Sequence, residues 1–270
     1  MTPLRETLER ARREGRAALV GYLPSGFPTQ PESVELMSAM VRGGVDIIEV
    51  GLPYSDPVMD GPTIQAAVDR ALSGGSSVAS VLQTVAGVAR TGAPTLVMSY
   101  WNPIERIGTA TFARRLREAG GAGAITPDLT PEEAGDWCSA TDAEGLDRVF
   151  LVAPSSTDAR IAAVASVTTG FVYAASTMGV TGARATVGSR ARELVGRVRA
   201  LTALPVAVGV GVSTGAQAAE VAAYADGVIV GSAFVSRILA AASQAEAVAA
   251  VEQLAGELAE GVRSGSVARG

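Results

Sequence analysis

Eight short apolar runs rich in β-branched residues recur at intervals of 20 to 50 residues, with helical patterns between them. They fall at about 18–22, 46–50, 95–99, 122–126, 148–152, 170–175, 205–210 and 226–230. A strand that is apolar on both faces must be covered on both, and alternating helices supply that cover. The pattern predicts a parallel sheet wrapped by helices. Eight such units in a chain of 270 residues predict its closure into an α/β fold of the (β/α)8 TIM-barrel type. A doubly wound open sheet is the alternative architecture for the same alternation. No linker or low-complexity stretch interrupts the sequence, so residues 1–270 are expected to form a single TIM-barrel domain.

Local signals place the helices. Thr29 with Glu32, and Thr130 with Pro131 and Glu133, read as helix N-caps, the second as a full capping box. After Thr29, the residues Val34, Met37 and Val41 share one helical face. Leu4 to Arg13 reads as an extra N-terminal helix covering the bottom of the barrel. Ala240 to Val262 reads as further C-terminal helix, and Arg263 to Gly270 as a frayed tail.

Composition narrows the chemistry by what it omits. The chain has no His, and all 22 of its basic residues are Arg, so it has no Lys either. Serine–histidine catalysis and histidine metal sites are excluded, as are a lysine imine and a lysine phosphate grip. Proton transfer at neutral pH is left to Asp, Glu, Tyr or the one cysteine. Cys138 has no His to activate it and cannot form an internal disulfide, so a packing role and a reducing compartment are expected. Met1 to Arg16 lacks the apolar core of a signal peptide, and no run of about 18 uninterrupted apolar residues would span a bilayer. A net charge of −5 without like-charge blocks offers no nucleic-acid footprint. A cytoplasmic protein without nucleic-acid or membrane partners is expected.

In a barrel of this kind the active site lies at the C-terminal ends of the strands. At the second run, alternation puts Ile47, Glu49 and Gly51 on one face, and Ile48 and Val50 on the other. A carboxylate among apolar residues is costly to bury unpaired, and desolvation would raise its pKa toward the acid/base range. The plainer reading of Glu49 is a carboxylate satisfied by hydrogen bonds or by an Arg at the rim. In the loop that follows, Asp60 can be a helix cap and Asp56 a turn former. The two aspartates lack the further hard ligands that a Mg²⁺ site requires, so no metal is expected. Glycine turns at Gly179–Gly182, Gly209–Ser213 and Gly231–Ala233 end the last three strands. Backbone N–H groups at such turns and at helix N-termini suit a phosphate, particularly in a chain without lysine.

The run Ile48 to Pro62 (IEVGLPYSDPVMDGP) closely resembles the signature of the tryptophan synthase α subunit family. The resemblance extends over nearly the whole chain. It takes in Gly21-Tyr22 with Ser25-Gly26-Phe27-Pro28, Met98-Ser99-Tyr100-Trp101-Asn102-Pro103, Pro127-Asp128-Leu129 and the three glycine turns. It implies retro-aldol cleavage of indole-3-glycerol phosphate to indole and glyceraldehyde 3-phosphate. It also implies an α2β2 assembly with a β subunit that carries pyridoxal phosphate, leaving no cofactor in this chain. A free-standing indole-3-glycerol phosphate lyase and a non-catalytic activating subunit are the alternative readings. The first shares the same residues; the second would be marked by loss of Glu49 or Asp60, and both are present.

By position, the resemblance makes Glu49 the acid/base and Asp60 the group that hydrogen-bonds the indole N–H. Tyr173 matches a tyrosine lining the pocket near Glu49, and Thr181 a mobile-loop residue that orients Asp60. Tyr22 and Tyr100 are expected to flank the indole. Gly182, Gly211, Gly231 and Ser232 match phosphate-binding positions. The chain departs from common members of the family at Phe27, Pro24, Met59 and Thr177.

Overall fold

The apolar runs become strands because their β-branched side chains pack on both sides of a pleated sheet, where a helix would leave half of them in water. The computed structural model describes residues 1–175 and 184–265, without the side chains of 184–187. Eight strands form: β1 (Ala18–Pro24), β2 (Ile47–Gly51), β3 (Thr95–Met98), β4 (Gly123–Ile125), β5 (Asp147–Val152), β6 (Val172–Ala175), β7 (Val206–Gly209) and β8 (Gly227–Val230). Each pairs in parallel with the next. β8 returns to β1, with Ala18 opposite Gly227 and Gly21 opposite Val230, so the sheet is a closed barrel. That last pairing disposes of the open-sheet alternative.

Alternation along each strand divides the core in two. Outward residues such as Leu19, Ile48, Val50, Val97, Val208 and Val228 pack against the surrounding helices. Inward residues, among them Val20, Ile47, Leu96, Ile125, Val149, Phe171 and Ile229, fill the barrel. Each such aliphatic side chain contributes about 1.5–3 kcal/mol when fully buried.

The lower end of the barrel is closed by the helix Pro3–Arg13, as the opening segment suggested. Its N-cap Thr2 accepts from the Arg5 backbone N–H, and its Leu4, Leu8 and Ala11 join the inner core. Thr2 also donates to Asp147 at the start of β5, which ties the plug to the sheet.

Thr29 caps the helix Gln30–Gly43, accepting from the Glu32 N–H while its hydroxyl donates to the Glu32 carboxylate at 2.6 Å. On that helix Met37 is fully buried, and Val34 and Val41 are partly buried against the same core.

Two local readings are corrected. Thr130 does bond to the Glu133 carboxylate, but the pair closes a turn, and the next helix starts only at Gly135 (Gly135–Glu144). The C-terminal region is two helices, Ser232–Ala240 and Gln244–Ser264. They are separated where Ser243 accepts from the Glu246 N–H and the Glu246 carboxylate accepts from Ala242. Of the expected tail, Arg263 and Ser264 are helical, and 266–270 lie outside the described residues. Among the described residues no helix is long and apolar enough to cross a membrane.

Candidate active site

Inward alternation on β2 carries Glu49 into the barrel, between its register partners Tyr22 on β1 and Leu96 on β3. The residue is 0% exposed, and neither carboxylate oxygen has a hydrogen-bond partner among the described residues. The plainer reading, a glutamate satisfied by an arginine or by hydrogen bonds, is therefore wrong for the described residues. Burial without compensation pushes the Glu49 pKa up to about 8, so at neutral pH the carboxyl holds its proton. A carboxylic acid kept protonated inside a pocket can act as a general acid and, once it has given the proton away, as a base.

Two phenols and three glycines shape the space around it. Tyr22 and Tyr173 are each partly covered, and desolvation raises both phenols well above their usual range. A Cβ at Gly51 would lie 2.5 Å from the Tyr22 hydroxyl, and one at Gly231 would lie 3.0 Å from its ring. A Cβ at Gly209 would lie 2.7 Å from the Tyr173 hydroxyl. These glycines at the ends of β2, β7 and β8 are the floor on which the tyrosines rest. Gly51 and Gly209 were not singled out for this role in the sequence. Their place on the inward face of β2 and β7 is the signal that could have found them.

Asp60 sits in the loop between β2 and the helix Pro62–Ser73. Gly61 is the N-cap of that helix, with no side-chain cap, so Asp60 is not the cap that its position suggested. Its carboxylate instead meets Tyr100: the phenol donates to Oδ1 at 3.4 Å. The same phenol oxygen accepts the backbone N–H groups of Val58 (3.1 Å) and Met59 (3.0 Å). Partial burial raises the Asp60 pKa, and the Tyr100 hydrogen bond opposes that rise. The ring of Tyr54 lies against that of Tyr100 with centroids 5.2 Å apart, and Asn102 donates to the Tyr54 hydroxyl. The Gln65 side chain holds the Asp60 carbonyl at 2.8 Å. Tyr54, Asn102 and Gln65 carried no local signal for these contacts. Asp56 is exposed and bonded by Ser55, as a turn residue would be.

At the opposite side of the barrel mouth the chain leaves the paired strands β7 and β8 through glycine. Gly211 is exposed and holds φ +72°, a conformation that favours a residue without Cβ. Gly231 precedes the helix Ser232–Ala240, whose N-terminus has no side-chain cap. The β7 helix Gly215–Ala222 is by contrast capped by Thr214. Uncapped N–H groups and the helix dipole suit an anion at Ser232. Among the described residues no group of three His, Cys, Asp or Glu comes together as a metal site.

The barrel thus brings Tyr22, Glu49, Asp60, Tyr100, Tyr173, Gly211, Gly231 and Ser232 to its C-terminal end. Thr181 and Gly182, and with them Thr177, lie outside the described residues. Of the other unusual positions, Phe27 is fully buried with Arg70 5.8 Å from its ring centroid, and Pro24 ends β1 opposite Gly51. Met59 is 43% exposed on the loop that Tyr100 holds. Cys138 is half-buried and packs against the outer core.

Comparison with known proteins gives one answer. The family model described as tryptophan synthase alpha chain matches residues 8–263. The tryptophan synthase alpha chain of Thermobifida fusca is 58% identical over 267 residues, covering 98% of this chain and 99% of the relative. That of Streptomyces coelicolor is 57% identical over 261 residues, covering 96% of each. A chain of Mycobacterium tuberculosis tryptophan synthase superposes with a TM-score of 0.90 at 53% identity, covering 97% of this chain and 98% of that one. The alpha subunit from Legionella pneumophila gives 0.88 at 32% identity, with 97% and 98% covered. A closed eight-stranded barrel with a buried, unpaired glutamate at the end of its second strand, and these relatives over nearly its full length, place the chain in the tryptophan synthase alpha chain family.

Proposed function

We propose that this chain cleaves indole-3-glycerol phosphate to indole and glyceraldehyde 3-phosphate, with Glu49 as the acid/base and Asp60 as its partner carboxylate. The observation that carries the assignment is the buried Glu49 carboxyl, which has no hydrogen-bond partner among the described residues and whose burial raises its pKa to about 8. Glu49 gives its proton to the indole carbon that bears the side chain, and the ring becomes an indolenine with positive charge at nitrogen. Asp60, ionised, accepts a hydrogen bond from that N–H and steadies the charge. The Glu49 carboxylate then takes the proton of the side-chain hydroxyl at the adjacent carbon. The carbon–carbon bond breaks, its electron pair returns to the ring as indole, and the hydroxyl carbon leaves as the aldehyde. Protons balance, and Glu49 ends as it began. Aldol cleavages commonly use a lysine imine or a metal ion. A protonated indole is its own electron sink, which suits a chain without lysine.

Tyr22, Tyr100 and Tyr173 would line the indole end of the pocket. The backbone of Gly182, Gly211, Gly231 and Ser232 would hold the phosphate, with Thr181 orienting Asp60. One barrel domain spanning 1–270 would carry the whole site. The chain is read as the α subunit of a cytoplasmic α2β2 tryptophan synthase in tryptophan biosynthesis, with pyridoxal phosphate in the β subunit. Docking is assigned to the loop Pro53–Asp60 and the region of Pro103. Val58, 78% exposed, and Met59 give that loop an apolar tip.

The test is indole release from indole-3-glycerol phosphate by the purified chain, with and without a matching β subunit. Slow release alone and a large increase with the partner are expected. No indole in either condition from a folded protein would overturn the reading.

A further inference from the structure

The inner face of the barrel holds a donor without an acceptor beside an acceptor without a donor. Tyr22 and Glu49 are register partners on neighbouring parallel strands, both directed inward. Neither Glu49 oxygen receives a hydrogen bond, and the Tyr22 hydroxyl donates none among the described residues. The phenol is held by two glycines on either side of β1. Gly51 on β2 lies directly under the hydroxyl, and Gly231 after β8 lies beside the ring. Besides burial, the charges that raise the Tyr22 phenol are those of Asp60 first and then Glu49, with Tyr100 and Tyr173 as the other titratable neighbours. Tyr173 is placed differently: its hydroxyl rests over Gly209 on β7 and feels Glu49 alone.

We propose that Tyr22 is a positioning residue for the acid/base, its hydroxyl donating to the Glu49 carboxylate once that group has lost its proton. The proposal rests on the reading of Glu49 given above and adds a residue that acts through it. In the resting site Tyr22 makes no hydrogen bond to Glu49. After Glu49 gives its proton to the ring, a carboxylate stands inside the barrel, with Tyr22 on the adjacent strand and Tyr173 across the barrel as the phenols near it. A phenol poised opposite supplies one charge-assisted hydrogen bond where and when the charge appears. It also fixes which carboxylate oxygen is left free to collect the proton of the side-chain hydroxyl.

Tyr22→Phe removes only the hydroxyl and keeps the ring on its glycines. The direct readout is the titration of the Glu49 carboxyl by ¹³C NMR, assigned by its disappearance in Glu49→Gln. A hydrogen bond to a charged group corresponds to an effect of about tenfold or more. The midpoint is expected to move about one unit above its wild-type position, while Tyr173→Phe moves it less. Turnover of the assembled enzyme is expected to fall about tenfold, with KM changed less than about twofold. In a Glu49→Gln background the second substitution is expected to change nothing further.

An unmoved titration in folded Tyr22→Phe overturns the proposal, as does a larger shift in Tyr173→Phe. Independent losses in the double variant would also overturn it, since they would make Tyr22 only a wall of the pocket. A wild-type enzyme that releases no indole, yet shows the titration shift, would refute the proposed reaction and leave the Tyr22–Glu49 bond standing.

Discussion

Tyr100 donates its hydroxyl to Asp60 while the same oxygen accepts the backbone N–H groups of Val58 and Met59, so one phenol holds both the carboxylate and its loop. The tyrosine is 7% exposed and follows β3, whereas the loop follows β2. The strand pairing Gly51↔Met98 brings the two segments together. Tyr100 therefore has a structural duty beside the indole contact expected of it.

Tyr100→Phe keeps the ring and removes all three hydrogen bonds. Two backbone N–H groups then turn to solvent, and Asp60 loses its donor. Each neutral hydrogen bond is worth about 0.5–1.5 kcal/mol net. Turnover is expected to fall roughly tenfold. Amide exchange at Val58 and Met59 should accelerate while the melting temperature changes little. Unchanged exchange at these two amides would show that the phenol does not hold the loop.

Glu49→Gln is expected to fold, bind substrate and lose turnover by a factor on the order of 10²–10⁴, the range for one positioned acid/base. Retention of more than about a tenth of the wild-type rate, against that range, would remove Glu49 from the mechanism. Its stability should also respond to pH in a defined sense. In the folded chain Glu49 keeps its proton up to about pH 8, whereas the unfolded chain releases it near 4.5. Between those values the unfolded state binds fewer protons, so this group's stabilising contribution, complete below 4.5, is lost as pH rises toward 8. The ceiling is about 1.4 kcal/mol per pH unit. Glu49→Gln lacks this slope, so its melting temperature relative to wild type should climb between pH 5 and pH 8 and then level.

The pH dependence of kcat/KM should be bell-shaped. Glu49 must start protonated, so activity falls on the alkaline side with a midpoint near 8, as burial sets its pKa. Asp60 must start ionised, and its raised pKa places the acid limb above the ordinary aspartate range. Replacing Asp60 by Asn should abolish the acid limb in the residual activity. An alkaline limb that stays at the same pH in Glu49→Gln would assign it to another group.

Gly211→Ala tests the phosphate end. At φ +72° an L side chain is strained, and forcing one there costs on the order of 1 kcal/mol. Gly211 is exposed, so the core is untouched. KM for indole-3-glycerol phosphate is expected to rise severalfold with kcat nearly constant, and free glycerol phosphate should inhibit less well. A fall in kcat at constant KM would place Gly211 in the chemistry instead.

Much of this molecule was readable along the chain because its signals are local. Eight strands buried on both faces cannot disguise their apolar character, and all eight lie within two residues of the expected runs. Glu49 was conspicuous for the opposite reason, being a carboxylate among residues that exclude water. Thr29 capped its helix as expected, since capping spans three residues. Where a local signal misled, tertiary packing or a nearby competitor had decided otherwise. Thr130 and Glu133 closed a turn, and Ser243 with Glu246 restarted a helix inside what read as one continuous pattern.

The sequence by itself determined the repeating strand and helix units, the absence of lysine and histidine chemistry, and the two carboxylates available for the reaction. Tertiary structure alone decided that Glu49 has no hydrogen-bond partner among the described residues, that Tyr100 holds Asp60 from 40 residues away, and that Gly51 and Gly209 make room for two phenols. The reason is physical: propensity and capping are set within a few residues. Desolvation and the contacts across the barrel mouth exist only once closure brings distant strand ends to the same height.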